Sequence, residues 1–536
     1  MLRLLAKSAS LLFLPGCALA LALAGCSMAP TVPPGTVQWA ADSATVRLAA
    51  GPQYARGAVW CLFLGNHYRT IWATPVTVPV LHLATAVPGG LVPIQAGGSY
   101  QSHTLRLCDP NGHEFVLRSV DKDMAAALPA GFWHWLLGGL LKDQTSITQP
   151  YGAYVAARLA EAAGVLHANP RLVYLADDPA LGQFRASHGK ALYLLEERAS
   201  GDQESRTGFG HAPKIISTRH LLLHLYQRPA GQVVARAYLR ARLLDIWLGD
   251  WSRREDQWRW ASFPRTGYTW YRPIPRDRDQ AFFLFDDGAL PRLVSWFVPK
   301  YQSFHATMRL GNVDGLTSTA RALDRTLLGT LGPDDFRQEA DSLRRRLNDA
   351  VIAQALTAGP AETRSVIAAR FGPLLRARRE QLAAVAQRYY EVLAKDAWLV
   401  GTDAAERFVV SAAGPGQLRV RVLAMRPAQA DSLLAERVFV RKDTRSISLY
   451  GLAGDDIFEL HSPLNLGINV NIFDGNGHDR VLLPANQTAN FPDFTWYGNP
   501  DGDARRSQAG LNVEPDPHPE IARDGAGWLK QYNLRD

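Results

Sequence analysis

Cysteine is scarce: the 536-residue chain has four, at positions 17, 26, 61 and 108. No Cys-x-x-Cys pair occurs, which excludes a zinc ribbon or a dithiol redox motif. Gly-x-Ser-x-Gly and His-Glu-x-x-His are also absent, so neither a nucleophile elbow nor a zincin helix is encoded. Beyond the N-terminal stretch there is no apolar run of about 18 residues, so the body does not cross a bilayer as helices. Charge of one sign is lacking too. The 58 basic residues stand against 50 acidic ones, and the net +8 is spread along the chain, which argues against a nucleic-acid function. Of the scattered histidines only His211, His220 and His224 fall close together. With no carboxylate pattern beside them they read as polar surface or core residues. What is present is 47% hydrophobic and 20% charged, the composition of a globular protein long enough for two or three domains.

Arg3 and Lys7 form a short positive region, and residues 11–24 form an apolar one broken by Pro15, Gly16 and Cys17. The pattern reads as a signal peptide. It closes on Leu23-Ala24-Gly25-Cys26, which resembles a lipobox, the recognition element of lipoprotein signal peptidase. The small residues suit a narrow protease site, and the Cys26 thiol is the group that accepts diacylglycerol. The resemblance implies cleavage before Cys26 and a lipid anchor in a bacterial membrane, made firm by several acyl chains. Ser27 is not the aspartate that retains such proteins at the inner membrane, so the expected address is the outer membrane, at its periplasmic face or the cell surface. Pro15 makes Cys17 a poorer candidate. The other reading is an ordinary secretory signal with Cys26 incidental. In an oxidising compartment Cys61 and Cys108 are available to pair, at a distance that sequence does not give.

Residues 1–25 are thus a signal peptide and 26–36 a Pro-rich tether. Residues 37–200 predict a β-rich lobe, rich in Val, Thr, Tyr and Trp with Gly punctuation. Segments 105–107 and 115–120 flank the turn Asp109-Pro110-Asn111-Gly112, a hairpin signal. A helix is predicted over 151–163, ended by Gly164, with strands at 171–175 and 191–196. Residues 201–400 predict a helical lobe, with a long helix over 234–248 and amphipathic Arg/Glu helices over 333–396. Residues 401–490 predict a β-rich C-terminal domain, and 491–536 a loosely ordered tail. The expected fold class is α+β: a β lobe with one helix, then a larger helical lobe, then the β domain.

Two segments carry chemistry. The first runs Gly249-Asp250-Trp251-Ser252-Arg253-Arg254-Glu255-Asp256-Gln257-Trp258, the second Pro273-Ile274-Pro275-Arg276-Asp277-Arg278-Asp279-Gln280-Ala281-Phe282. Phosphoryl transfer needs carboxylates to hold magnesium on the phosphates, a base near the acceptor hydroxyl and a cation on the transferring group. Asp277 and Asp279 have the i, i+2 spacing that puts both on one side of a strand, and Gln257 offers a carbonyl. The same residues also suit surface salt bridges. Trp247, Trp251, Trp258 and Trp260 read as packing between lobes rather than as a sugar platform.

The order of these segments resembles that of the spore-coat kinase CotH, HipA and the secreted-pathway kinases. It resembles more closely a family of Gram-negative envelope proteins, some fused to a metallophosphoesterase or a surface-antigen β-barrel. That family shows Gly-Asp-Trp-Asp-Arg-His-Glu-Asp-Gln-Trp and then Pro-Arg-Asp-Arg-Asp-Gln-Ala-Phe. The resemblance implies a bilobal kinase-like core and, as partners, the bilayer through Cys26 and an outer-membrane barrel or metallophosphoesterase. It implies a phosphate-approaching turn at Gly97 and Gly98 and a nucleotide cation at Arg118 or Lys122. It places Glu196 or Glu197 near the nucleotide base. Asp277 becomes the principal ligand of Mg or Mn, with Asp279 and Gln257 secondary.

One departure stands out. Where the family carries Asp-Arg-His, this chain has Ser252-Arg253-Arg254, and serine is a poor base at neutral pH. Asp250 and Asp256 are displaced by two or more residues, too far for a role that tolerates about 1 Å. Retained ligands with a lost base suggest a pseudokinase, with a structural or interaction lipoprotein as the alternative. Farther on, residues 451–458 and 474–481 each resemble one turn of a calcium repeat, with Asp456, Asp474 and Asp479 as candidate oxygen ligands. Two copies are too few for an array, and turns of a β-sandwich or short solenoid are the favoured reading.

Overall fold

The computed structural model describes residues 37–97, 103–122, 132–227, 230–426, 428–461, 467–484, 491–498, 511–532 and 534. Cys26, with the signal and tether, and Gly98 lie outside the described residues. The first element is an eight-stranded sheet. In chain order come β1 (Gln38–Trp39), β2 (Thr45–Ala49), helix α1 (Ala58–Leu64), β3 (Pro75–Leu81), β4 (Val92–Gly97), β5 (Thr104–Cys108) and β6 (Glu114–Ser119). Helices α2 (Phe132–Asp143) and α3 (Gly152–Ala163) follow, then β7 (Arg171–Leu175) and β8 (Ala191–Glu197). The sheet order is β1-β2-β3-β7-β8-β6-β5-β4. The β5–β6 hairpin turns where Asp109 to Gly112 predicted it, and α3 ends at Gly164 in a left-handed C-cap.

Alternation on the two central strands decides what faces where. Phe115 and Leu117 of β6, with Tyr193 and Leu195 of β8, enter a core cluster on one side of the sheet. Val116, Arg118, Leu194 and Glu196 therefore point to the other side. A one-residue register slip would exchange the two sets, so burial of the first set fixes the second.

A five-stranded sheet follows, within the region read from sequence as helical. Its strands are β9 (Gly201–Gln203), β10 (Ala212–Ser217), β11 (Gly231–Val233), β12 (Trp258–Arg265) and β13 (Tyr268–Pro275), in the order β11-β13-β12-β10-β9. Helix α4 (Thr218–Gln227) precedes β11, and α5 (Ala235–Leu248) joins β11 to β12. Helix α5 is buried nearly all round, and with it Trp247, Trp258 and Trp260, which pack the interior as the sequence suggested. Then come α6 (Ala289–Phe297), α7 (Arg321–Leu328), α8 (Pro333–Arg346), α9 (Asp349–Ala355), α10 (Arg364–Glu380) and α11 (Leu382–Ala394).

The remaining strands are β14 (Asp396–Val400), β15 (Glu406–Gly414), β16 (Gln417–Ala424), β17 (Ser432–Val440), β18 (Ser446–Tyr450), β19 (Ile457–Leu460), β20 (Asn469–Phe473), β21 (Arg480–Leu482), β22 (Phe491–Gly498) and β23 (Leu511–Pro515). They build two sheets, β14-β18-β20-β22-β23 and β17-β16-β15-β19-β21. The first is parallel throughout, and β15-β19-β21 is parallel in the second. From β18 to β22 the chain alternates between the sheets, so each coil lies on the last: a short solenoid. Tyr450, Phe473 and Tyr497 stack along it with ring centroids 4.6 and 4.8 Å apart. A Cβ on Gly477, whose φ is +146°, would lie 1.7 Å from the Gly454 carbonyl oxygen, so the coil contact requires glycine there.

The aspartates of the two calcium-like segments serve this stacking. Asp456 accepts the Glu406 amide at 2.7 Å, and Asp479 accepts the Asp456 amide at 2.8 Å. Asp474 accepts the Gly475 amide at 2.8 Å and the Trp496 indole N–H at 2.9 Å. The tail, expected to be loose, is anchored where it is described. Trp528 is buried, donates to the Tyr226 hydroxyl at 3.1 Å and lies 4.5 Å from the Tyr450 ring. The Pro- and Gly-rich composition around Trp528 hid this anchor. Cys61 and Cys108 are both free thiols.

Candidate functional site

The two chemically marked segments are the two ends of one hairpin. Helix α5 stops at Gly249, φ +70°, where the Gly249 amide bonds to the Ile246 carbonyl at 3.1 Å and the Asp250 amide to the Asp245 carbonyl at 2.9 Å. This left-handed cap redirects the chain into the loop Asp250–Gln257. Strands β12 and β13 then pair from Arg265↔Tyr268 back to Trp258↔Pro275, and the Arg276 amide donates to the Gln257 carbonyl at 2.8 Å. Positions some twenty residues apart thus become neighbours. Strand pairing ends at Pro275, so Asp277 and Asp279 lie in a loop and not on a strand as their spacing suggested. Asp277 has φ +57°, an uncommon value for a side chain-bearing residue, and asparagine and aspartate tolerate it best.

Across from this loop stand the outward-facing residues of β6 and β8. The Arg118 guanidinium lies 3.5 Å from the Asp277 carboxylate and 3.4 Å from that of Glu196. The Lys122 ammonium pairs with Asp279, and the Lys122 carbonyl accepts the Thr145 hydroxyl at 2.9 Å. Burial opposes ionisation of Asp277, but Arg118, Lys122 and Arg276 outweigh it and hold the carboxyl down at about 2. Burial likewise opposes the charge on Arg118, yet Asp277 and Glu196 raise its pKa. Desolvation pushes Glu196 up and Lys122 down. Arg276 lines the same cleft; burial, with Arg259 and Arg118 nearby, lowers it to about 9. Two adjoining hollows of about 50 Å³ each share Arg118, Ala153, Glu196, Asp277 and Arg278. Each has room for a few waters, while sites for drug-sized ligands typically run to 300 Å³ and more.

Beneath the loop lies an ionic network that sequence reading missed. Asp245 of α5 sits 3.6 Å from Arg242, 3.3 Å from Arg253 and 3.2 Å from Arg278, and Arg242 reaches Asp324 of α7 at 2.9 Å. Arg253 also pairs with Asp250 and donates to the Arg276 carbonyl. Three guanidinium groups face three carboxylates, all at least nine-tenths buried. Asp250, weighed as a substitute base, is committed to Arg253; burial pushes its pKa up while Arg253 pulls it back. The available signal was Arg242 and Asp245, an i, i+3 pair in the apolar second half of the helix.

The structure brings together Arg118, Lys122, Glu196, Asp277 and Asp279; Gln257 lines neither hollow and is tied to the neighbouring Arg276 through its backbone carbonyl. Ser252 is half-buried in the neighbouring loop, its amide 3.2 Å from Asp250, and Arg254 pairs with Asp256 at 3.0 Å. Glu197, on the opposite side of β8 from Glu196, accepts the Asn169 amide at 3.2 Å and sits 3.7 Å from Arg206. Gly97 ends β4, an edge strand of the sheet. Among the described residues, no group of three or more His, Cys, Asp or Glu is placed to hold a metal ion. His220 lies 2.8 Å from Ser217, His224 lies 3.0 Å from the Tyr271 hydroxyl, and His211 bonds to the Glu204 carbonyl.

No family model and no curated protein matches the chain. Among solved structures it is similar to the Helicobacter pylori proinflammatory kinase CtkA. That likeness has 10% identity and a TM-score of 0.29, and it covers 55% of this chain and 94% of that one. It is also similar to HipA of the Shewanella oneidensis MR-1 toxin–antitoxin system, solved with HipB and operator DNA. Here the identity is 12% and the TM-score 0.28, with 68% of this chain and 98% of that one covered. The likeness to these two structures is distant.

Proposed function

We propose that this chain is a lipid-anchored envelope protein whose bilobal kinase-like core binds a metal ion together with a nucleotide or another phosphorylated ligand, with little or no phosphoryl transfer. The observation that carries this reading is the meeting of Arg118, Lys122, Glu196, Asp277 and Asp279, drawn from three separate segments, in one cleft. Cations for phosphate and ionised carboxylates for a divalent ion are what that ligand pair needs. Magnesium is typically held by one or two carboxylates plus substrate phosphates and water, so Asp277 and Asp279 suffice without a third acid, and Gln257 adds a carbonyl. A bound ion would neutralise phosphate charge at this point. Lys122 and Arg118 would then exchange their carboxylate partners for phosphate, and the narrow cleft would have to part to admit a base.

The weak-transfer half of the proposal rests on Ser252 at the position of the expected base and on Asp250, buried and paired with Arg253. The test is the thermal midpoint of the chain from Ser27 onward, with magnesium or manganese, with and without ATP. A ligand at a hundred times its dissociation constant stabilises the native state by roughly 2.7 kcal/mol. The expected outcome is a rise that needs metal and ATP together and vanishes in Asp277→Asn. Ser252→Asp then reports whether transfer can be restored. A flat midpoint at millimolar ligand sinks the binding reading.

A second reading has its own observation. Asp277, Asp279 and Asp250 already have cationic partners, as in a scaffold whose acidic loop is simply neutralised. That flat midpoint is what this alternative expects. The anchor is tested separately: palmitate labelling should be lost in Cys26→Ser.

A further inference from the structure

Helix α6 is inverted for a surface helix. Leu290, Leu293, Val294 and Phe297 recur at i, i+3, i+4 and i+7, the stripe that ordinarily faces a core. Here those four are 44, 42, 42 and 78% exposed, and Trp296 is 73% exposed, whereas Pro291 is the residue buried. Beside it, α1 exposes Val59 and Leu62. The two helices are fastened together. His67 Nδ1 lies 2.7 Å from the Asp287 carboxylate, and a Cβ on Gly288 would sit 2.3 Å from the Gly65 nitrogen. Single exposed apolar residues need no explanation, but a contiguous face built by two pinned helices marks an interaction surface.

We infer that this face seats on the anionic surface of a lipid bilayer and orients the body of the protein there. Three features favour lipid over other occupants. The outermost residues are an adjacent Trp and Phe backed by Leu and Val, the composition of helices that lie in the headgroup region. Cations accompany it: Arg292 on the helix itself lines one hollow with Trp296 and Arg309, and Lys300, three residues past the helix, stands over the Trp251 and Tyr301 rings. The nearest acids are occupied, Asp287 by His67 and Asp286 by His305 at 2.9 Å. Finally, only ten residues separate Cys26 from Val37, a reach of about 40 Å when fully extended, so a lipidated chain would hold its body close to a membrane. The choice of lipid leans on the anchor reading, whereas the exposed face does not depend on it.

The test uses the unlipidated chain from Ser27 onward, sedimented with vesicles of phosphatidylglycerol and phosphatidylethanolamine and, in parallel, with phosphatidylcholine vesicles. Binding to the anionic vesicles is expected, weakening as salt is raised. The double variant Trp296→Asp/Phe297→Asp should bind at least roughly tenfold more weakly with its thermal midpoint unmoved, because both side chains are exposed. Arg292→Gln with Lys300→Gln should lessen the preference for anionic lipid. No sedimentation at millimolar lipid overturns the inference, as does equal binding by the double variant. A dimer in analytical ultracentrifugation that disappears in the double variant also overturns it, since the occupant would then be a second copy. Vesicle binding without palmitate on Cys26 would sink the anchor and leave this face standing.

Discussion

Arg253 reaches four groups at once: it donates to the Asp250 carboxylate and to the carbonyls of Arg276 and Asp277, and its charge stands 3.3 Å from the Asp245 carboxylate. It is fully buried, so it acts as the pin that holds the Ser252 loop against the Asp277 loop. Arg253→Ala leaves Asp245 and Asp250 in the interior with one cation fewer, and the expected cost is about 3–5 kcal/mol in urea unfolding. Arg253→Lys keeps the charge without the planar fork and should fall between wild type and alanine. At this scale the acidic residues of Asp-Arg-Asp were legible in sequence, because their spacing is local. Arg278 between them was not, because its partner Asp245 lies 33 residues upstream and is brought close only by the α5 cap and the β12–β13 hairpin.

The solenoid corner stacks carboxylates in a low-dielectric setting. Burial pushes Glu406 up to about 7 and Asp456 up to about 9, with mutual repulsion adding to the rise for Asp456. An acid whose folded pKa is raised contributes stability that is complete below its unfolded pKa and is lost as pH climbs through the folded value. The thermal midpoint should therefore fall as pH is raised from about 4 toward 9. Asp456→Asn, which keeps the acceptor oxygen for the Glu406 amide, should flatten that slope. Gly477→Ala forces a methyl onto the Gly454 carbonyl and should cost about 1–3 kcal/mol or more, read as faster limited proteolysis of residues 451–498. Elements with nearby punctuation were readable from sequence: α3 by Gly164, the β5–β6 hairpin by Asp109 to Gly112, α5 by its length. Parallel pairing of β18, β20 and β22 is only one of the two arrangements, sandwich or solenoid, that the sequence allows. Its partners stand 23 or 24 residues apart, and two turns give too weak a repeat to declare itself.

The whole molecule is closed by one side chain. Trp528 touches Tyr226 of α4, Trp398 of β14 and Tyr450 of β18, and the nearby Gly525 amide donates to Asp403 at 2.6 Å. Trp528→Ala should cost about 3–5 kcal/mol and split one calorimetric transition into two, as the solenoid and the helical body lose their shared core. The contact also has a timing. Tyr226 and Trp528 are 302 positions apart, and at elongation speeds of roughly 5–20 residues per second some 15–60 s pass between their syntheses. Through that interval α4, and in its later part β14 and β18, exist without the indole that seals them. Any chaperone or protease that samples the nascent protein meets an apolar seam, which makes residue 528 a marker of a chain that has been made to the end of its core.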